Sequence, residues 1–143
     1  QHVIIDTGGR DTVSQRAALS ICTAYLVPFA PRSFDVWTLD KVSDLVEEAR
    51  TVNPDLRAFA FINKADPRGS ENAEAAELLR SRPALTFIPT GLGNRKAFGA
   101  AAAAGLGVVE LRPQDPKASE EIQALYGYLF DTAKTSSVNP AGI

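Results

Sequence analysis

Short apolar runs alternate along this chain with longer stretches of helical periodicity, and that alternation limits the fold more than any other feature. The runs are Val3–Asp6, Ala24–Phe29, Leu56–Asn63, Ala84–Ile88 and Gly107–Leu111. Most are apolar at consecutive positions rather than at every second one, the pattern of parallel strands covered on both faces. Between them, Val42, Leu45, Val46 and Ala49 form an i, i+3, i+4, i+7 stripe in a helix over 34–52, with Ser33 placed to cap it and Asn53-Pro54 to end it. Further helices are predicted over 70–81, with Ala73, Ala76 and Leu79 on one side, and over 95–104, rich in alanine and stopped by Gly105. A last one over 116–133 opens on Asp115-Pro116 and carries Ile122, Leu125, Tyr126 and Leu129 at helical spacing. The order βαβαβαβα predicts an α/β fold: a mostly parallel sheet flanked by helices in three layers, with right-handed crossovers.

Composition agrees with one globular domain. The 143 residues are 45% hydrophobic and 22% charged with a net charge of -2, which excludes a disordered chain and a strongly basic nucleic-acid module. The single cysteine, Cys22, has no internal disulfide partner and sits in the small apolar run from Ala17, so an inert thiol and a reducing, cytoplasmic setting are expected. No apolar run approaches the roughly 20 residues that cross a bilayer, so no membrane partner is expected. Residues 1–133 read as the domain and 134–143 as a flexible tail. The sequence contains no methionine and runs from Gln1 straight into an apolar stretch, from which a missing amino-terminal portion is expected.

In parallel α/β sheets ligands bind at the carboxyl ends of strands. Two of those junctions carry motifs. Val3-Ile4-Ile5 ends in Asp6-Thr7-Gly8-Gly9, where a carboxylate can hold the water shell of Mg²⁺ and glycines let backbone approach a γ-phosphate. The same residues also suit an aspartate capping a tight turn. Phe59-Ala60-Phe61-Ile62 ends in Asn63-Lys64-Ala65-Asp66, the spacing of an N-K-x-D base-reading loop, in which the amide contacts the base and the acid accepts from guanine; an ordinary turn uses the same residues. A phosphate cradle of the form G-x-x-x-x-G-K-[ST] is not found, because none of Lys41, Lys64, Lys96, Lys117 and Lys134 follows a glycine. The 143 residues therefore hold the metal and base ends of a nucleotide site without its phosphate end.

Asp6-Thr7-Gly8-Gly9-Arg10-Asp11, then Val27 through Val36, then Ile62-Asn63-Lys64, then Pro89-Thr90 with Arg95 and the helix leading to Gly105, together resemble the later part of a ParA/MinD-type ATPase, nearest the short plasmid-partition ParA proteins. The resemblance spans about residues 2–130 in collinear order. It implies a P-loop NTPase-like fold whose first strand and phosphate loop lie upstream, together with Mg²⁺ and ATP as cofactors. It also implies a homodimer formed with ATP, nonspecific DNA binding, a centromere-binding ParB-like partner, and a bacterial, nucleoid-associated location in the cytoplasm. Carried residue by residue, Asp6 matches the Mg²⁺-site acid and Thr7, Gly8, Gly9 and Asp11 the switch loop. Asn63 and Lys64 match the adenine-contacting loop, and Pro89 and Thr90 the segment beside the base. Pro31 to Asp35 correspond to a loop near the dimer face, and Arg95 with Lys96 to a DNA-backbone contact. The family's phosphate-loop lysines and water-positioning acid have no counterpart in these residues, so a fragment inactive by itself is expected.

Two other readings stand beside this one. A GTPase of the same broad class fits Asn63-Lys64-Ala65-Asp66 literally, and a non-enzymatic α/β module would use Asp6 as a phosphoacceptor or the whole domain as a partner-binding scaffold. His2 is expected to be structural, and Trp37 to pack within its helix rather than stack on a base.

Overall fold

The computed structural model of the chain describes residues 2–8, 12–31, 36–66 and 70–135, the last five as backbone only. In chain order the elements are α1 (Val13–Leu19), β1 (Ala24–Phe29), α2 (Val36–Val52), β2 (Arg57–Ala65), α3 (Glu71–Arg80), β3 (Thr86–Phe87), β4 (Leu92–Gly93), α4 (Lys96–Ala103) and α5 (Pro116–Thr135). The expected fold class holds: a parallel sheet flanked by helices.

The sheet is organised on β2. β1 lies parallel to it in continuous register from Ala24 opposite Arg57 to Phe29 opposite Ile62. β3 pairs in parallel at Phe59 and Ala60, and β4 joins further along at Asn63 and Ala65. Ala58 through Ile62 are all buried, because successive side chains of a strand point to opposite faces and both faces here are covered. Ala58, Ala60 and Ile62 pack with Val27, Phe29, Leu39, Val46 and Leu79, which seats α2 and α3 on one face. Phe59 and Phe61 pack with Ile88 and Leu125, which seats α5 on the other.

The predicted stripe of α2 serves two clusters. Val42 and Val46 reach the main core, while Leu45 and Ala49 pack with Leu19 and Leu56 beneath α1. Asn53 does more than end the helix: its Nδ2 donates to the Leu19 carbonyl at 2.9 Å and to the Cys22 carbonyl at 2.8 Å, tying the α1–β1 connection to the end of α2.

Several expectations are corrected. Residues 3–6 form no strand; Val3 and Ile4 are 83% and 86% exposed, and the His2 ring instead rests on Phe130 with centroids 4.3 Å apart. An apolar run becomes a strand only where a neighbouring edge accepts its backbone groups, and no described edge takes this one. Gly107–Leu111 is a turn, because the Glu110 carboxylate accepts from the Gly107 N–H at 2.8 Å while the Glu110 N–H returns to the Gly107 carbonyl. Only Val108 of that run is buried, against Ala101 and Ala118. α1 carries little signal in the sequence because it is short and lacks an apolar stripe; Thr12 caps it by accepting from the Gln15 N–H at 3.2 Å. Trp37 is exposed, with the Lys41 ammonium 3.4 Å above its ring, since it lies on the side of α2 opposite Leu39. Cys22 is half-buried, and burial raises its thiol pKa above the ordinary value, as suits an inert side chain.

Ser33 and Phe34 and residues 136–143 lie outside the described residues, and α5 runs to Thr135. Among the described residues no helix is long and apolar enough to cross a membrane.

The Asn53 tether yields a direct test. Asn53→Ala removes two hydrogen bonds and lowers stability by about 2 kcal/mol in urea unfolding; Asn53→Asp, which substitutes an acceptor facing two carbonyls, lowers it further.

Candidate functional site

The carboxyl end of β2 departs from ideal strand geometry. Lys64 has φ 55, a left-handed conformation for a non-glycine residue, and the register with β4 shifts there, so that Asn63 pairs with Leu92 and Ala65 with Gly93. The bulge is supported locally, since the Asn63 Oδ1 accepts from the Lys64 N–H at 3.0 Å. The next residue is held from α3: the Asp66 N–H donates to the Asn72 Oδ1 at 3.2 Å, and the Asn72 Nδ2 returns to the Asp66 carbonyl.

The segment after β3 folds against this end. Gly91 passes so close to β2 that a Cβ there would stand 2.9 Å from the Ile62 carbonyl oxygen, so the approach requires glycine. The Asn94 N–H then donates to the Ala65 carbonyl at 2.9 Å. Glu121, on α5, fastens the outer part of the segment. Its carboxylate accepts from the Gly93 N–H at 3.0 Å, from the Arg95 Nε at 3.0 Å and from the Arg95 Nη2 at 2.6 Å. This is the forked guanidinium–carboxylate geometry that combines charge with orientation. The bonds from Arg95 hold the Glu121 pKa below the usual glutamate range against a smaller opposing effect of burial, and those same bonds raise the pKa of Arg95.

Between the two segments lies a cleft of about 310 Å³, lined by Ala65, Asp66, Asn72, Gly91, Gly93, Asn94, Arg95 and Glu121. Its volume is at the small end of the range for ligand sites. Its polar lining residues carry both acceptors and donors: the Asp66 and Glu121 carboxylates, the Asn72 and Asn94 amides, and the Arg95 guanidinium.

The sequence-predicted residues divide between this cleft and other places. Asn63 and Lys64 form the bulge just before Ala65 and, like exposed Pro89 and half-buried Thr90, are not among the residues that line it; Arg95 lines it, and Lys96 is exposed at the start of α4. Asp6, Thr7 and Gly8 do not line it; Asp6 and Gly8 are exposed and Thr7 half-buried. Gly9 and Asp11 lie outside the described residues, as do Arg32 to Asp35 of the loop matched to a dimer face. Among the described residues no group of three or more His, Cys, Asp or Glu is arranged to hold a metal. Asp6 offers a single carboxylate, which suits Mg²⁺ held chiefly by water and phosphate and not an all-protein cage. Sequence reasoning missed Asn72 and Glu121. The Pro-Thr-Gly order flags a turn at Gly91, but Glu121 carries no local signal, because its partners are 26 and 28 residues away.

The fold and cleft define an α/β protein with a small polar cleft at the carboxyl end of its central parallel strand. No protein-family model matches the chain. It is similar to a Maintenance of carboxysome distribution protein A of Halothiobacillus neapolitanus, 27% identical over 104 residues that cover 73% of this chain and 48% of that protein. The chain therefore spans about half the length of the curated relative it matches. A crystal structure of a plasmid partition protein from Borrelia burgdorferi superposes with a TM-score of 0.48 at 15% identity, covering 78% of this chain and 38% of that one.

Two measurements test the geometry. Lys64→Gly raises stability by about 0.5 kcal/mol, the relief of left-handed strain less the extra chain entropy of glycine, whereas β-branched Lys64→Val lowers it by about 1 kcal/mol or more. Because the folded pKa of Glu121 is depressed, its contribution is complete at neutral pH and is lost as pH falls below about 4.3 through the lower folded value. In urea midpoints measured against pH, Glu121→Gln shows less of this acid loss than the parent protein.

Proposed function

We propose that this chain is part of a ParA-type partition or positioning ATPase and supplies the base end of its nucleotide site. The observation that carries the reading is the meeting of two segments at one cleft: Ala65 and Asp66, directly after the Asn63–Lys64 bulge, and the Gly91–Arg95 segment, both at the carboxyl end of the sheet. The similarity to a carboxysome distribution protein supports the same class.

In this reading Asn63 presents its amide to the adenine edge. Its Oδ1 is engaged by Lys64, which leaves the Nδ2 as the group offered to a base nitrogen. Thr90 and Pro89 border the base. Asp6 orients water around Mg²⁺, and Thr7 through Asp11 respond to the γ-phosphate. When bound, Mg²⁺ supplies neutralisation of phosphate charge. Dimerisation with ATP, nonspecific DNA binding, recognition by a ParB-like partner and a place on the bacterial nucleoid belong to the same proposal. Arg95 is engaged by Glu121, so exposed Lys96 is the more accessible cation for a phosphate backbone.

The experiment is a fluorescent-ATP titration with Mg²⁺, competed by unlabelled ATP and GTP, on the native polypeptide that carries these residues. ATP competes more strongly than GTP, and Asn63→Ala weakens ATP about tenfold, the equivalent of one lost hydrogen bond at ~1.4 kcal/mol. Stronger competition by GTP would assign Asn63-Lys64-Ala65-Asp66 to guanine and overturn the ATPase reading. Binding of neither nucleotide would overturn the nucleotide site altogether.

A further inference from the structure

We propose that Glu121 is a positioning residue for the base cleft, setting the place of the wall formed by Gly93 and Arg95 and thereby its discrimination between bases. The inference rests on the nucleotide reading above.

Three observations carry it. The Glu121 carboxylate is shared between a backbone N–H and a guanidinium on the same short segment, so it fixes both the path of the chain and the direction of the Arg95 side chain. The approach is close enough that a Cβ on Gly93 would stand 3.2 Å from the Arg95 Nε and 3.3 Å from a Glu121 carboxylate oxygen, so the carboxylate meets bare backbone. Glu121 is itself placed by the core, because Leu125, one turn further along α5, is buried against Phe59, Phe61 and Ile88. Packing of α5 on the sheet is thus converted into a position for the cleft wall. With Glu121 in place, Arg95 enters the cleft as half of an ion pair and presents little net charge to a base. Without it, an unopposed guanidinium and an unpaired N–H would both face the ligand and favour the carbonyl-bearing edge of guanine over adenine.

The test compares Glu121→Gln, Glu121→Ala and Arg95→Lys in the native polypeptide, reading fluorescent-ATP and fluorescent-GTP affinities, KM and kcat for ATP, and thermal unfolding. Glu121→Gln keeps an acceptor for the Gly93 N–H and gives a three- to fivefold loss of preference for ATP over GTP. Glu121→Ala loses both contacts and gives a tenfold or greater loss. In both, KM rises while kcat per bound ATP stays within twofold, since the reacting phosphate is distant from the base. Arg95→Lys, which keeps the charge but not the fork, falls between them. A merely structural role would lower the unfolding temperature with an unchanged ATP-to-GTP ratio, and that result would overturn the inference while leaving the nucleotide reading intact. Absence of nucleotide binding by the parent protein would overturn both.

Discussion

Everything in this molecule hangs on β2 being paired along both edges and covered on both faces. A strand in that position has every backbone group from Ala58 to Ile62 withdrawn from water, so its neighbours must supply the ladder partners. β1 does so over its whole length and β3 and β4 in two short pieces. The interruption between β3 and β4 leaves room at the carboxyl end of β2 for a bulge, a glycine approach and a cleft. The site is a place where the sheet is allowed to be irregular because its centre is not.

That division also explains what could be read from the sequence. Ala24–Phe29 was legible to the residue, since an apolar run between helices has one economical place in a parallel sheet. β2 was legible through Asn63, but its continuation across Lys64 was not, because nothing in a lysine announces a left-handed backbone. Ala84–Ile88 was legible as buried chain, with Ala84, Leu85 and Ile88 all in the core, although only Thr86 and Phe87 enter the ladder. Val3–Asp6 and Gly107–Leu111 failed for the opposite reason. Their side chains are strand-like, but strand formation is decided by a partner far away in sequence or overruled by a nearby capping carboxylate. At the site, the residues following strands were legible because topology alone places them; Glu121 was not, because only the packing of α5 brings it there.

The interactions at the cleft are of unequal kind. Asn63 and Asn72 make local amide bonds that shape the end of β2, and the Asn94 N–H joins the segment after β3 to it through the Ala65 carbonyl. The Glu121 carboxylate joins the segment after β3 to a helix on the opposite face of the sheet from α2 and α3, and does so with charge, which makes it the contact at the cleft most sensitive to acid. Exposed ion pairs elsewhere, such as Arg82 with Asp40, tie elements together with less orientation and more screening.

The alternation along β2 has a consequence of its own. Ala58 and Ala60 point to the face beneath α2 and α3, while Phe59 and Phe61 point to the face beneath α5. In a half-buried strand, a slip of one residue is punished because greasy side chains would meet water. Here a slip would expose nothing; it would drive two phenyl rings into the space cut for methyl groups and leave two voids under α5. The register of the sheet, and with it the location of the cleft, is therefore guarded by bulk instead of by polarity, and substitutions that evened out the sizes of these four side chains would remove the guard while leaving every one of them apolar.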